Sequence, residues 1–269
     1  MKRTLPGILL AVCWVVLLVN GSAFQFYLAM LVITAIGGAE YLKMIMTPRP
    51  NLFSRLYLIG AICLPVIVTL PVEGSPEIPL QAGLFAGFFL VTLYFLRCYT
   101  HFDNTYERFS RMVFGVVYVG VLASYLVLLR KFPEGGSWLV VLTAVTAGSD
   151  SGAYYFGSTF GKRKLCPNIS PKKTIEGALG GLFCGLVAAS VSAILLLENV
   201  NWLFVAVAAV LLTGVGILGD LTESVIKRGT GTKDSGTLLA GHGGVLDRID
   251  SLLLSAPVLY YLLFFLGGA

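Results

Sequence analysis

Charge is what this chain has least of. Asp, Glu, Lys and Arg make up 12% of its 269 residues, about half the share found in a soluble domain. Hydrophobic residues make up 57% and the mean hydropathy is +0.85, which excludes a soluble globular protein. Histidine is nearly missing, with only His101 and His242, and the five cysteines (Cys13, Cys63, Cys98, Cys166, Cys184) form no CxxC pair. Neither a zinc centre nor a disulfide framework is therefore expected. The cysteines lie mostly in apolar runs and read as small buried hydrophobes. Linkers, low-complexity tracts and clear internal repeats are lacking as well.

What the chain does have is apolar runs of membrane-spanning length. Nine stand out: Leu5–Val19, Ala23–Met44, Leu52–Leu70, Leu80–Cys98, Met112–Leu129, Trp138–Gly157, Gly177–Leu197, Trp202–Val225 and Val245–Leu266. The expectation is an all-α polytopic membrane protein, a bundle of about nine transmembrane helices. Placing the amino terminus in the cytoplasm puts all but Arg130 and Lys131 of the 19 basic residues on that side, as the positive-inside rule requires. The basic skin so formed suits anionic lipid or nucleotide, and no nucleic-acid partner is expected. Lys2-Arg3 followed by an apolar run also has the outline of a secretory signal. We read it as an uncleaved first helix.

The chain divides by character. Residues 1–140 carry five helices almost free of internal charge, apart from Glu40, and read as membrane scaffold. Residues 141–269 carry helices six to nine with polar cytoplasmic loops, and read as the catalytic half. Within the first half, the stretch His101–Arg111 mixes aromatics with charges and reads as an interfacial loop. Gly177, Gly181 and Gly185 recur at four-residue intervals, the spacing of close helix packing.

Within the catalytic half, Asp150, Asp220, Glu223, Asp247 and Asp250 all fall inside apolar segments. Unpaired at the centre of a bilayer, five such groups would cost about 10 kcal/mol or more, against total stabilities of about 5–15 kcal/mol. They must face one another, a cation or a wet cavity. Salt bridges such as Asp220 with Lys227 or Asp250 with Arg248 could account for part of them. Asp220, Glu223 and Lys227 share one helical stripe, and Asp247 and Asp250 share another. Between these stripes runs a glycine-rich polar segment with Lys227, Arg228, Lys233, Arg248 and His242. Carboxylates converging on a basic, glycine-rich loop suit a divalent cation held against a polyphosphate. Hard oxygen donors favour Mg²⁺, with room for a second cation.

Asp220 and Asp247 are the expected metal ligands, since each begins the polar stripe of its own helix, with Glu223 beside them. Asp250 and Asp150 are expected close by, around the same cation or a second one. In the preceding loop, Ser170-Pro171-Lys172-Lys173-Thr174 reads as a helix start capped by Ser170, with Pro171 at its first position. Such a start would offer an anion site. Lys172, Lys173, Lys227, Arg228, Lys233 and Arg248 are expected to hold phosphates, whereas flanking cations such as Lys43 and Arg55 are expected to be replaceable.

The stretch from Ser224 to Asp250 resembles the signature of phosphatidate cytidylyltransferases, S-x-x-K-R, K-D and H-G-G-x-x-D-R-x-D. Here these are Ser224, Lys227-Arg228, Lys233-Asp234, His242-Gly243-Gly244, Asp247-Arg248 and Asp250. Ser149-Asp150 and the segment from Ile169 through Thr174 to Glu176-Gly177 are similar to a second block of that family. The resemblance implies transfer of CMP from CTP to phosphatidate (phosphatidic acid), giving CDP-diacylglycerol and pyrophosphate with Mg²⁺. It implies a homodimer in the cell (inner) membrane, with the active site facing the cytoplasm. In that reading Asp220, Lys227, Asp247 and Asp250 are catalytic. Asp150, Ser170, Lys172, Lys173, Ser224, Arg228, Lys233, His242, Gly243, Gly244 and Arg248 contact the substrates.

Three other readings compete. A CTP-dependent lipid kinase, of the polyprenol type, would need a base for its alcohol. A CDP-alcohol phosphotransferase would need the pattern D-G-x-x-A-R, which the chain lacks. A cation-coupled transporter would place its charges at mid-membrane in broken helices, whereas here they crowd toward one face.

Overall fold

The computed structural model describes residues 4–70, 78–238 and 243–266. Nine helical rods are present among them: α1 (Thr4–Asn20), α2 (Ala23–Ile45), α3 (Leu52–Ile67), α4 (Leu80–Arg97), α5 (Thr105–Arg130), α6 (Gly135–Phe160), α7 (Ile175–Leu196), α8 (Trp202–Gly229) and α9 (Leu246–Leu266). Six of these, α2, α4, α5, α7, α8 and α9, are long and apolar enough to cross a bilayer. The apolar stretches at Leu9–Asn20 and Leu52–Ile67 are shorter. Helix α6 has the length, 26 residues, but its Gly148-Ser149-Asp150-Ser151-Gly152 segment makes it more polar. The chain is an all-α polytopic membrane protein, as its apolar runs predict.

Side-chain caps set several helix starts. Ser22 and Gln25 form a capping box at α2, while Asn51 and Asn201 accept from the backbone of Ser54 and Phe204 at α3 and α8. The core gathers Phe26, Met30, Tyr41, Ile62, Val116, Leu142, Leu212 and Leu253, all buried. Helix α5 starts earlier than expected. Tyr99–His101 form a single 3-10 turn, and from Thr105 the polar residues continue straight into the apolar helix. The interfacial loop is thus mostly an amphipathic first turn. Within α5, Val116–Val121 is π-helical.

The segment before α7 also differs from expectation. It is a two-stranded antiparallel hairpin, β1 (Lys164–Cys166) and β2 (Ser170–Thr174), with Lys164 opposite Thr174 and Cys166 opposite Ser170. Ser170 does not cap a helix. A residue preceding proline is pushed out of the helical region, so Ser170-Pro171 stays extended. Thr174 is the cap instead, accepting from the Gly177 N–H at 3.1 Å. The helix-start anion site at Ser170 is thereby withdrawn.

Glycines set how closely α6, α7 and α8 approach. An added Cβ at Gly177 would sit 2.8 Å from the Ala153 carbonyl of α6, one at Gly181 2.9 Å from that of Ser149, and one at Gly185 2.6 Å from Thr213 Oγ1 of α8. The expected glycine packing face is thus used within the chain, between α6, α7 and α8.

Gly219 does the same where α8 crosses α9, directly beside Asp220. A Cβ there would lie 2.6 Å from the Asp250 carbonyl and 3.0 Å from Ser251 Cα. Both are backbone atoms that cannot swing aside. Gly219→Ala should therefore separate α8 from α9 at the carboxylates and lower turnover roughly a hundredfold, the usual cost of an ångström's misplacement. Gly214→Ala, with nothing within 4 Å of the new Cβ, should stabilise α8 by up to about 1 kcal/mol. Turnover and thermal unfolding of the two variants side by side check the pair. Equal tolerance would show that the crossing is slack.

Candidate active site

A polar cavity of about 790 Å³ opens where α6, α8 and α9 meet the 233–237 segment. Six carboxylates line it, Asp150, Asp220, Glu223, Asp234, Asp247 and Asp250, against three cations, Lys227, Lys233 and Arg248. Gly236, Thr237, Gly243 and Ser251 complete the wall. Asp150 lies ten residues before the end of α6, about 15 Å along that helix from its end at 1.5 Å per residue. Acid in excess inside an apolar protein is the environment of a bound cation.

The carboxylates are held very differently. Asp247 is firmly held: Gly244 N–H, Ser235 N–H and Ser235 Oγ donate to its Oδ2 at 2.7, 3.1 and 2.9 Å, while Oδ1 takes Lys227 Nζ at 2.9 Å. Gly243 makes this wrap possible, since its φ of +80° favours glycine. Lys227 also pairs with Glu223 Oε2 at 2.8 Å, bridging α8 to α9.

Asp220 is looser. It pairs with Lys173 at 2.7 Å and receives a long 3.4 Å bond from Ser224 Oγ. Strand periodicity explains the lysine: on β2, alternate residues face opposite ways, so Lys173 turns inward while Lys172 stays exposed. Asp150 has no hydrogen-bond or ion-pair partner among the described residues and is exposed to the cavity.

Three buried oxygens around these groups also lack a protein donor: Glu223 Oε1, whose carboxylate stands against that of Asp250, Ser251 Oγ and the Tyr118 hydroxyl. The first two line the cavity, and Tyr118, in the π-helical turn of α5, is within electrostatic reach of Asp250, Glu223 and Asp220. Buried polar atoms are nearly always satisfied, so such oxygens among the six carboxylates of the cavity fit a cation. No three His, Cys, Asp or Glu side chains among the described residues form a ready-made metal cage. That suits an ion whose remaining ligands come with a substrate, since hard cations of this kind take one or two carboxylates and fill the rest with phosphate and water.

Of the residues expected from sequence, the cavity unites Asp150, Asp220, Glu223, Lys227, Lys233, Gly243, Asp247, Arg248 and Asp250. Lys173, Ser224 and Gly244 join through their bonds to its walls. Arg228 lies against the hairpin, its Nε 3.5 Å from the Ile169 carbonyl. Ser170 and Lys172 sit on β2 and do not line the cavity. His242 lies outside the described residues.

Sequence reasoning missed Glu40. From the scaffold helix α2 its buried carboxylate reaches the start of α9, accepting from Val245 N–H at 3.0 Å and Leu246 N–H at 2.9 Å. Ser235 Oγ stands 3.2 Å from Glu40 and 2.9 Å from Asp247, with one proton to give. The available signal was its position: it is the one acid in a membrane helix whose only other charge is Lys43 in the last turn, and such an acid is a functional candidate by default.

Known proteins resemble this chain along nearly its whole length. The chain is 33% identical over 268 residues to the phosphatidate cytidylyltransferase of Bacillus subtilis, covering 97% of each chain. It is 35% identical over 273 residues to that of Staphylococcus haemolyticus, covering 97% of this chain and 98% of the relative. The Staphylococcus aureus protein of the same name is 34% identical over 268 residues, again 97% and 98%. The cytidylyltransferase family profile matches residues 1–266, so the scaffold helices, Glu40 among them, fall within the likeness as fully as the acid-lined cavity does. This chain is a membrane nucleotidyltransferase and belongs to the cytidylyltransferase family.

Proposed function

We propose that this protein transfers CMP from CTP to phosphatidate, releasing pyrophosphate and forming CDP-diacylglycerol. The observation that carries the reading is the single cavity in which six carboxylates and three cations meet at the end of an apolar bundle. A family member of this kind needs a divalent cation, and we assign Mg²⁺ to Asp220 and Asp247, with Glu223 beside them. Bound there, the ion would polarise the reacting phosphate and offset charge on the departing pyrophosphate.

The chain's own groups do the rest. Lys233 and Arg248 face the cavity and bind phosphate oxygens. Lys173 and Lys227, neutralised by Asp220, Glu223 and Asp247, are placed to do so as well. A phosphomonoester has its second pKa near 6, so the lipid oxygen is already anionic at neutral pH and needs no base to attack the α-phosphorus. Repulsion between two anions is the barrier these groups lower. By charge bias we place the end bearing Lys43, Lys173 and Lys227 in the cytoplasm, with the amino terminus on the same side. We place the protein in the inner membrane, and we expect a homodimer from the family resemblance.

Purified protein in detergent, given labelled CTP, tests the reaction. Pyrophosphate and a CDP-lipid should form only with phosphatidate and Mg²⁺ present, and EDTA should stop both. CDP together with a phosphorylated lipid alcohol would instead identify a CTP-dependent kinase and overturn the proposal.

A further inference from the structure

A second pocket, of about 420 Å³, lies between the end of α2, the start of α3 and residues 236–238. Three cations line it, Lys43, Arg49 and Arg55, against apolar Ile36, Pro50 and Leu238. Among the described residues none of the three has an ion-pair or hydrogen-bonding side-chain partner. The carboxylate that also borders the pocket, Glu40, is already engaged by Val245, Leu246 and Ser235. Three uncompensated cations in one concavity call for an anion.

The surroundings say which kind. Leu52, Phe53 and Leu56, on the same turns of α3 as Arg55, are 68%, 79% and 61% exposed, and Leu238 on the opposite wall is 62% exposed. In a membrane protein such a patch beside cations matches a headgroup with its acyl chains. A phosphomonoester carries about −1.5 to −2 charge at neutral pH, more than a phosphodiester. The pocket also shares Gly236 and Thr237 with the acid-lined cavity, so one short stretch of backbone separates the two.

We propose that Lys43, Arg49 and Arg55 form a docking site for the phosphomonoester headgroup of the acceptor lipid, one loop away from the carboxylates. The proposal rests on the transferase reading above, and it gives Lys43 and Arg55 a role beyond topology. It also answers an electrostatic difficulty, since the cavity's excess of acid repels an anionic lipid that arrives before a cation and nucleotide.

Two measurements on the full-length protein test it. In the first, Lys43→Gln/Arg49→Gln/Arg55→Gln is assayed with dioleoyl phosphatidate in nonionic mixed micelles. The apparent KM for phosphatidate should rise at least about tenfold, since three cations that attract the anionic headgroup are removed. The KM for CTP and the saturating rate should hold. Arg49→Lys/Arg55→Lys should stay near wild type because it keeps the charge. An unchanged phosphatidate KM, or a lowered rate with both KM values intact, overturns the proposal.

In the second, no CTP is added, and phosphatidate retained by the detergent-solubilised protein is counted by native mass spectrometry. Wild type should hold it, hold phosphatidylglycerol less, and be unaffected by glycerol 3-phosphate; the triple variant should lose most of it. Equal retention by the variant, or displacement by glycerol 3-phosphate, overturns the lipid assignment. Because this readout involves no turnover, absence of a CDP-lipid product would count against the transferase reading alone. Should the triple variant fail to run as a single species, Arg49→Gln, at an exposed loop position, takes its place with the same criteria.

Discussion

Asp220→Asn should lower turnover by roughly a hundred- to a thousandfold, the range seen when one electrostatic contact to a transition state is lost, with little change in thermal stability. Asparagine keeps the shape and one carbonyl oxygen but loses the charge that the cation needs. The side chain is 35% exposed and held only by Lys173 and a long bond from Ser224, so the fold gives up little. The comparison that decides its role is Lys173→Ala. If Asp220 served only to hold that lysine, both single variants and the double variant would share one modest loss. Retention of more than a few per cent of activity at saturating Mg²⁺ would remove Asp220 from the ligand set.

Asp247→Asn should reduce turnover comparably but for mixed reasons. Its oxygens take bonds from Lys227, Ser235 and Gly244, and an amide nitrogen placed among those donors would repel one of them. A fall in melting temperature is therefore expected with Asp247→Asn and not with Asp220→Asn. The ion pair with Lys227 is the reason Asp247 tolerates its surroundings: breaking a buried pair leaves a charge that costs about 3–5 kcal/mol.

How far these residues could be read from sequence depended on whether they acted locally. The stripe of Asp220, Glu223 and Lys227 follows from helical periodicity alone, and the structure does place Asp220, Glu223 and Lys227 on one wall of the cavity. The helix rods were legible for the same reason, since an apolar run must satisfy its backbone internally. The 170–174 segment misled because Ser, Pro and Lys fit a helix start and a strand equally well. The deciding contact, Thr174 with Gly177 N–H, sits four residues later than the obvious cap. Lys173 could be proposed as a phosphate ligand, but it lies on β2 and its partner Asp220 on α8, and no local pattern reveals such a pair. Glu40 shows the limit most clearly: its partners lie about two hundred residues away in the chain.

Glu40→Gln should therefore damage a site it never enters. Both carboxylate oxygens accept backbone N–H groups at the start of α9, from Val245 and Leu246, where the helix dipole favours negative charge. An amide offers one acceptor and turns a donor toward the other N–H. Leaving a buried donor unsatisfied costs about 1–3 kcal/mol, and loss of the charge at the helix start adds about 0.3–1 kcal/mol. The damage should spread along one path. Gly236 and Gly244 pack directly on the Glu40 carboxylate, and Ser235 lies between Glu40 and Asp247. When that support loosens, Asp247 loses the frame that aims it into the cavity. Expected results are a melting temperature several degrees lower in detergent and a turnover reduced roughly tenfold to a hundredfold, as for any ångström-scale loosening of a reacting geometry. Glu40→Asp, one methylene short, should fall between wild type and Glu40→Gln only if reach matters as much as charge. Unchanged melting and turnover in Glu40→Gln would mean that the scaffold half holds the catalytic loop by packing alone.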